Sequence, residues 1–583
     1  MVGARKSRLW VLALTLASIA YLQPAHAFTG STYTDVSTVY VVNQFNADES
    51  WIVPFGVTSI DAIAVGGGGG GGTDGGDGGG GGELRILTNQ LVSAGNVLST
   101  VIGSGGAGAV WATSNSGSGG TTYLRRDGNN LLVANGGAGG NGWTTTQNTA
   151  AGGSGGSGGT GFNGGNGGLN RYQQNEGIGG AGSAGPTTTI TTGSALNYGG
   201  GGGGGSCWNA KSSGTFAGAA GGAGGGGAGA GHTQNVGSPA GSAGTANTGG
   251  GGGGGSACDG GTTNKVDQRT SGGAGGSGVV VIRYVLTSPT SLDLDTSSDL
   301  GSSSTDNITS DPTLTITGSA IGGTTIQLMV DGVASGSTCL ANSSTGSWSC
   351  TTASLTSGIK SIVARSSISG AVKSSSALSV TVDTAAPVLS PSTSISQSEN
   401  QTSITTVSCN ETCALAMTGG ADSSTVTFNT GTGVLVFKVA PDFESPTDAD
   451  LNRTYLISIT ATDTSGNTTV GNFVVTITNL NEASTLGSLT LSGQAFKGIT
   501  QSLSITTNVA GKVRFFLNGK RIANCVSIST TGSYPNFTAT CPWKPTVTAR
   551  QALSASFSPT DTSFSAASSS TLSVWVYKRT TRR

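Results

Sequence analysis

The sequence predicts a mainly β chain in which a glycine-rich module of polyproline-II-like and β structure precedes three β-sandwich domains. Three observations carry that expectation. Only 9% of the 583 residues are charged, against about 25% in ordinary globular chains. Glycine numbers 103, and most of it falls between Gly66 and Gly278. Outside that block Ser, Thr and Val dominate, a composition suited to sheets with small polar outward positions and poorly suited to helices. A chain of this length suggests roughly three to five domains.

Residues 1–27 have the layout of a secretory signal peptide. Arg5, Lys6 and Arg8 form a positive start, an apolar stretch runs from Leu9 to Leu22, and Pro24 precedes the small-residue site Ala25-His26-Ala27. The apolar run is shorter than the roughly 18–20 residues a spanning helix needs. Cleavage after Ala27 is expected, and no later segment is apolar enough to span a bilayer. The mature chain is therefore expected to be secreted or held at the cell surface.

Residues 28–286 form the glycine-rich module. Val39–Phe45 and Val57–Val65 read as strands, the second running directly into Gly66–Gly72, and Gly278–Leu286 closes the block as a third β run. Collagen is excluded, because Gly66–Gly72, Gly78–Gly82 and Gly199–Gly205 break any strict three-residue period. A flexible coil is the plain compositional alternative. The competing structure is a bundle of extended, left-handed strands whose backbones approach closely enough to hydrogen-bond. Trp111, Tyr123, Phe162, Tyr198 and Trp208 are scattered through the block, and a solvated linker has little use for them. The ordered bundle is the favoured reading.

The stretch from Trp51 to Gly68 and the closing Gly276–Tyr284 resemble the glycine-rich domain family of bacterial surface proteins and phage tail adhesins. The resemblance implies polyglycine-II packing with receptor-binding loops. In residues 287–384, Leu292–Gly301, Pro312–Gly318, Val330-Asp-Gly-Val333, Gly346–Ser349 and Val380–Pro387 resemble a bacterial Ig-like repeat. Short alternating strands with turn signals such as Asp331-Gly332 fit a sandwich on physical grounds alone. Trp348, close to Cys350, reads as core packing. In residues 385–483, Ser398-Glu-Asn400, Pro441–Pro446, Thr447–Asn452, Tyr455–Asp463 and Val475–Glu482 resemble a cadherin-like domain. Residues 484–583, with Gly511–Ile522, Cys541-Pro-Trp543 and Leu572–Tyr577, resemble another bacterial Ig-like type. Val513, Phe515 and Leu517 alternate there in a β-like way.

Eight cysteines lie beyond residue 27, an even number in a chain expected to be exported. They fall as neighbours: Cys207 with Cys258, Cys339 with Cys350, Cys409 with Cys413, and Cys525 with Cys541. Four local disulfides are the simplest reading. Zinc or iron would need clustered Cys and His, and His232 is the single histidine beyond Ala27.

Calcium is the one serious cofactor. It takes several oxygen ligands, preferably carboxylates supplemented by amide and backbone carbonyls. The cadherin-like resemblance implies calcium ligands at Glu399, Asp442, Glu444 and Asp463, with Asn481 in the linker motif, converging at a domain junction. The linker Asn479-Leu-Asn481-Glu482 departs from the family by opening with Asn in place of Asp, which lowers ligand charge. The plainer alternative is that these acids cap turns. Catalysis is not expected. His232, set among glycine and alanine, reads as a surface side chain, no serine sits in a nucleophile-elbow motif, and no Gly-Lys-Ser/Thr follows the glycine runs. Nucleic-acid binding is not expected of an exported chain.

The net charge of −1 hides an asymmetry. Residues 286–483 hold sixteen acidic and five basic residues, whereas residues 484–583 hold one acidic residue, Asp561, and eleven basic ones. Such fields favour contact with anionic envelope polymers or stacking between copies, with simple solubility as the alternative. The tail Tyr577–Arg583 is the densest positive cluster. The leading expectation is an exported adhesin or structural envelope protein whose partners are envelope polymers, glycans or other surface proteins, with self-association. A glycan- or ice-binding protein acting through the glycine module, and a non-catalytic subunit of a secreted enzyme, are the alternatives.

Overall fold

The computed structural model describes residues 29–35, 38–73, 75–110, 116–142, 179–208, 215–233, 238–258 and 269–580. The expected signal peptide, Trp111, Phe162, and the side chains of Cys207, Trp208 and Cys258 lie outside the described residues. Two compact units divide the chain at Asp383/Thr384.

In the first unit, a five-stranded antiparallel sheet has the order Thr29–Asp35, Thr38–Phe45, Val279–Val285, Ser59–Val65 and Leu84–Leu91. The run Val279–Ile282 is continuously apolar because this sheet is buried on both faces. Val280, Ile282, Ala62 and Ala64 enter one core together with Leu98, Leu124 and Leu132, which come from a four-stranded sheet of Ser50–Ile52, Val97–Val101, Thr122–Arg126 and Asn129–Ala134. Val279, Val281, Ile63 and Val65 face the other way, against Ile190 and Tyr198.

Glycine runs grow straight out of these strand ends. Gly66, Gly69 and Gly72 donate to the carbonyls of Glu83, Gly80 and Asp77; Gly67 and Gly70 donate to Gly120 and Gly117; Gly68 and Gly71 donate to Gly276 and Gly273, all at 2.8–2.9 Å. The same neighbour returns every third residue, which is the period of a polyproline-II helix. The run accepts in the same rhythm from Gly137 and Gly140, from Gly106 and Ala109, and from Gly252 and Gly255. One helix is thus ringed by six others. A Cβ added at Gly69 would fall on the carbonyl oxygen of Ala138, and one at Gly252 on that of Gly273, so the packing itself excludes side chains. The described residues of the block are packed in this way, as the polyglycine-II reading expects. Cys207–Trp208 and Ala257–Cys258 pair as parallel strands.

His232 corrects an expectation. The residue is 3% exposed, not a surface side chain, and its Nδ1 lies 3.0 Å from Ser238 Oγ. Burial lowers its pKa below the ordinary imidazole value.

Still in the first unit, residues 290–382 form a sandwich. Thr290–Leu294, Thr315–Ser319 and Ser347–Thr351 make one sheet, and the other is built on Gly358–Ile368 and Thr325–Val330. Val330 pairs with Val333 across Asp331 (φ 50°) and Gly332 (φ 83°), the two left-handed residues a tight hairpin requires. Cys339 and Cys350 are bridged, and Trp348 is buried in the same core as Cys350. Ile321 and Ala371 of this sandwich belong to the glycine module's core, and Phe55 exchanges backbone hydrogen bonds with Ser343 and Gly322, both 3.0 Å.

The second unit holds two sandwiches with separate cores. In the first, Ser394–Ser398, Thr468–Thr478, Thr454–Asp463 and Cys413–Gly419 face a sheet of Ser403–Thr406, Val434–Phe437 and Val426–Phe428. Ser394–Ser398 runs parallel to Thr468–Thr478. In the second, Thr490–Leu491, Gln501–Thr507, Asn536–Trp543 and Thr531–Ser533 face a sheet centred on Gly511–Leu517 and Arg550–Pro559. Cys409–Cys413 and Cys525–Cys541 are bridged. Val513 and Phe515 are fully buried while Lys512 and Arg514 are exposed, as the alternation requires. Glu482–Ala483 pairs in parallel with Phe564–Ser565, tying the linker to the last sandwich.

Candidate metal centre

Three acidic side chains converge where the chain leaves the first sandwich of the second unit. Glu399 follows the strand Ser394–Ser398 and is wholly buried. Its Oε2 accepts from Phe443 N and its Oε1 from Leu480 N, both at 2.8 Å. Asp442 Oδ1 accepts from Glu444 N at 2.9 Å and Ser445 N at 3.2 Å, a turn that Pro441 introduces. Glu444 Oε1 accepts from Asn479 Nδ2 at 2.9 Å. One carboxylate oxygen from each of Glu399, Asp442 and Glu444 lies within 4.8 Å of the others.

Like charges this close raise each other's proton affinity. Burial, first, and then the Glu399 carboxylate push the Glu444 pKa above the ordinary value. Tyr534, from the last sandwich, is raised by burial and then by the negative charge of Asp442, Glu482, Glu444 and Glu399. Glu444 Oε2 is buried and receives no hydrogen bond, because the nearby Ser563 hydroxyl donates to Asp561 Oδ1 instead. A hard cation satisfies such an orphan, and an all-carboxylate donor set suits calcium better than zinc. The residues fit the ion.

Asp463 stands apart from this group, contrary to the expectation that it joins them. It closes the ten-residue strand Thr454–Asp463, whose other end pairs Thr454 with Thr476 beside the Glu399 group. About 3.3 Å per residue puts it some 30 Å along the sheet. There its Oδ1 accepts from Asn467 N and its Oδ2 from Asn467 Nδ2, both at 2.9 Å. Asn481 lies in the linker beside the group, its amide nitrogen placed to donate to the carbonyls of Thr562 and Ser563 at 3.3 Å. Sequence reading placed Asn479 in the linker motif without a role, and the structure sets it on Glu444. Beside the carboxylates, Phe443, Arg453, Tyr534, Phe537 and Phe564 line a cleft of about 460 Å³, with Arg453 stacked 4.3 Å over Phe443.

Comparison with known proteins bears first on the two domains before this unit. Residues 43–285 match the family model of a glycine-rich domain, and residues 286–384 match that of a bacterial Ig-like domain. The chain carries both domains, in that order. These are domain types that are typically non-catalytic. Similar solved structures include the protocadherin GammaB4 extracellular domain, 14% identical over 43% of this chain and 42% of that one, with a TM-score of 0.24. Mouse cadherin-23 EC22-24 is 14% identical over 44% and 87%, with a TM-score of 0.23. The I-band fragment I67-I69 from titin is 11% identical over 50% and 100%, with a TM-score of 0.28. The chain thus spans under half the length of the protocadherin. No curated protein matches the sequence.

Proposed function

We propose that this chain is an exported surface adhesin or structural envelope protein whose second unit is stiffened by calcium. The observation that carries the reading is the convergence of Glu399, Asp442 and Glu444 on the linker residues Asn479 and Leu480. The glycine-rich and Ig-like domains suit a surface role, and among the described residues no helix is long and apolar enough to cross a membrane.

Bound calcium supplies positive charge that cancels the repulsion among the three carboxylates. The chain's own residues do the rest. Glu399 already fixes Phe443 and Leu480 through their amides, so it couples the acidic loop to the linker. Glu444 does the same through Asn479. Asn481 and backbone carbonyls are the remaining oxygen donors in reach of the linker, with water completing the six to eight ligands calcium takes.

The full chain, disulfides intact, is melted with calcium and with EGTA. At calcium near one hundred times Kd, the second unit gains about 2.7 kcal/mol, or roughly 5–10 °C in Tm. Asp442→Asn with Glu444→Gln abolishes the gain. Identical melts with and without calcium in the unaltered chain sink the calcium reading and leave the surface role standing.

A further inference from the structure

We propose that one sheet face of the last sandwich binds an anionic polysaccharide of a cell envelope. Charge in residues 484–583 is polarised by the fold. The sheet of Thr490–Leu491, Gln501–Thr507, Asn536–Trp543 and Thr531–Ser533 contains no charged residue at all. The opposite sheet turns Val513, Phe515, Leu553, Ala555 and Phe557 into the core. Alternation then sends Lys512, Arg514 and Phe516 outward on one strand and Arg550 outward on its neighbour. Directly opposed residues share a face, and the register opposes Arg521 to Phe516 and Arg550 to Trp575. Four cations and two aromatic rings thus sit on one surface, floored by Ser554 and Ser556.

The cations are available. Among the described residues no carboxylate pairs with Lys512, Arg514, Arg521 or Arg550, and the ion pairs found are Arg85–Glu83 and Arg283–Asp61. Arg550 Nε donates to Ser573 Oγ at 2.6 Å, which ties its guanidinium to the strand that carries Trp575. Trp575 is 56% exposed. Leaving such a ring in water forgoes the free energy that a covering partner would release.

The chemistry of the partner follows. Flat aromatic faces stack on the C–H faces of sugar rings, and spaced guanidinium groups hold sulfate, phosphate or carboxylate substituents. A membrane wedge is disfavoured, because Arg550 and the serine floor separate Phe516 from Trp575 and no continuous apolar patch forms. A second copy of the chain is disfavoured as well. Three acids of residues 385–483 are buried and turned onto their own backbone amides, where they cannot meet a neighbour's cations: Glu399 on Phe443 and Leu480, Asp422 on Ala449 and Leu456, Asp448 on Asn452 and Arg453. The proposal leans on export for the source of the polymer and on nothing in the carboxylate cluster.

The test is binding of the full chain, in EGTA throughout, to labelled dextran sulfate and alginate, with uncharged dextran as the blank. Binding to both polyanions and not to dextran is expected, weakening steeply as NaCl rises. Arg514→Gln with Arg550→Gln weakens binding about tenfold, whereas Lys360→Gln with Lys438→Gln, the same charge removed elsewhere, changes it less than about twofold. Trp575→Ala weakens binding several-fold with the salt dependence unchanged. Each variant's melt is compared with the parent's, and Arg550→Lys serves as the mild variant if the double substitution unfolds. No binding, equal losses from both charge pairs, or tighter binding to phosphatidylglycerol vesicles than to either polymer overturns the proposal. So does chain self-association that Arg514→Gln abolishes.

Discussion

Glu444 carries the largest share of the metal site's physics in one side chain. Burial and the Glu399 charge raise its pKa in the folded protein, so the fold binds its proton more tightly than the unfolded chain does. The sign follows from linkage. Between the ordinary glutamate pKa and the raised one, the native state holds more protons, and stability falls as pH rises through that window. In EGTA, the ionised Glu444 is therefore a burden above its folded pKa and a lesser one below. Glu444→Gln is expected to raise the apo Tm at neutral pH, with the advantage over the parent shrinking as pH is lowered into the acid range. A constant difference across pH would remove Glu444 from the cluster's electrostatics. Two residue-level expectations failed for one reason: linear motifs do not say where a strand ends or what closes over a side chain. Asp463 belongs to the same cadherin-like pattern as the other acids yet lies at the far end of its strand, and His232 is buried although no apolar pattern announces it.

At the scale of elements, the polyglycine helices are held chiefly by backbone hydrogen bonds, with a few serine and threonine hydroxyls such as Ser116 Oγ on the Gly70 carbonyl. Each hydrogen bond is an ordinary one, and the three-residue rhythm of Gly66–Gly72 shares them among neighbours on every side. Gly69→Ala places a methyl on the carbonyl of Ala138 and is expected to cost about 1–3 kcal/mol, or more if the helix cannot shift. Gly419→Ala meets open space and should stay within about 0.5 kcal/mol. Urea unfolding of the full chain measures both, and equal effects would contradict close packing as the bundle's organising force. Much of this was legible. The Val279–Ile282 run, the strand that enters Gly66 and the Asp331-Gly332 hairpin are patterns of local chemistry. The six-fold ring was not, because glycine carries no side-chain pattern from which a partner could be read.

For the whole molecule, composition foretold a β chain of consecutive domains, and the architecture within each unit agrees. What composition could not supply is the sharing of a core between the glycine module and the following sandwich, where Ile321 and Ala371 join the cluster that holds Trp51 and Val53. A domain boundary drawn from a change in sequence character falls between residues that nonetheless bury each other. The charge asymmetry was plain in the sequence, but its confinement to one sheet face needed strand register. The functional account rests above all on three carboxylates poised for one cation. Calorimetric titration of calcium into the full chain tests it most directly. A saturable binding event is expected that vanishes in the Asp442→Asn, Glu444→Gln double variant and persists in Asp463→Asn. Absence of binding heat, or the same isotherm in the double variant, would contradict it.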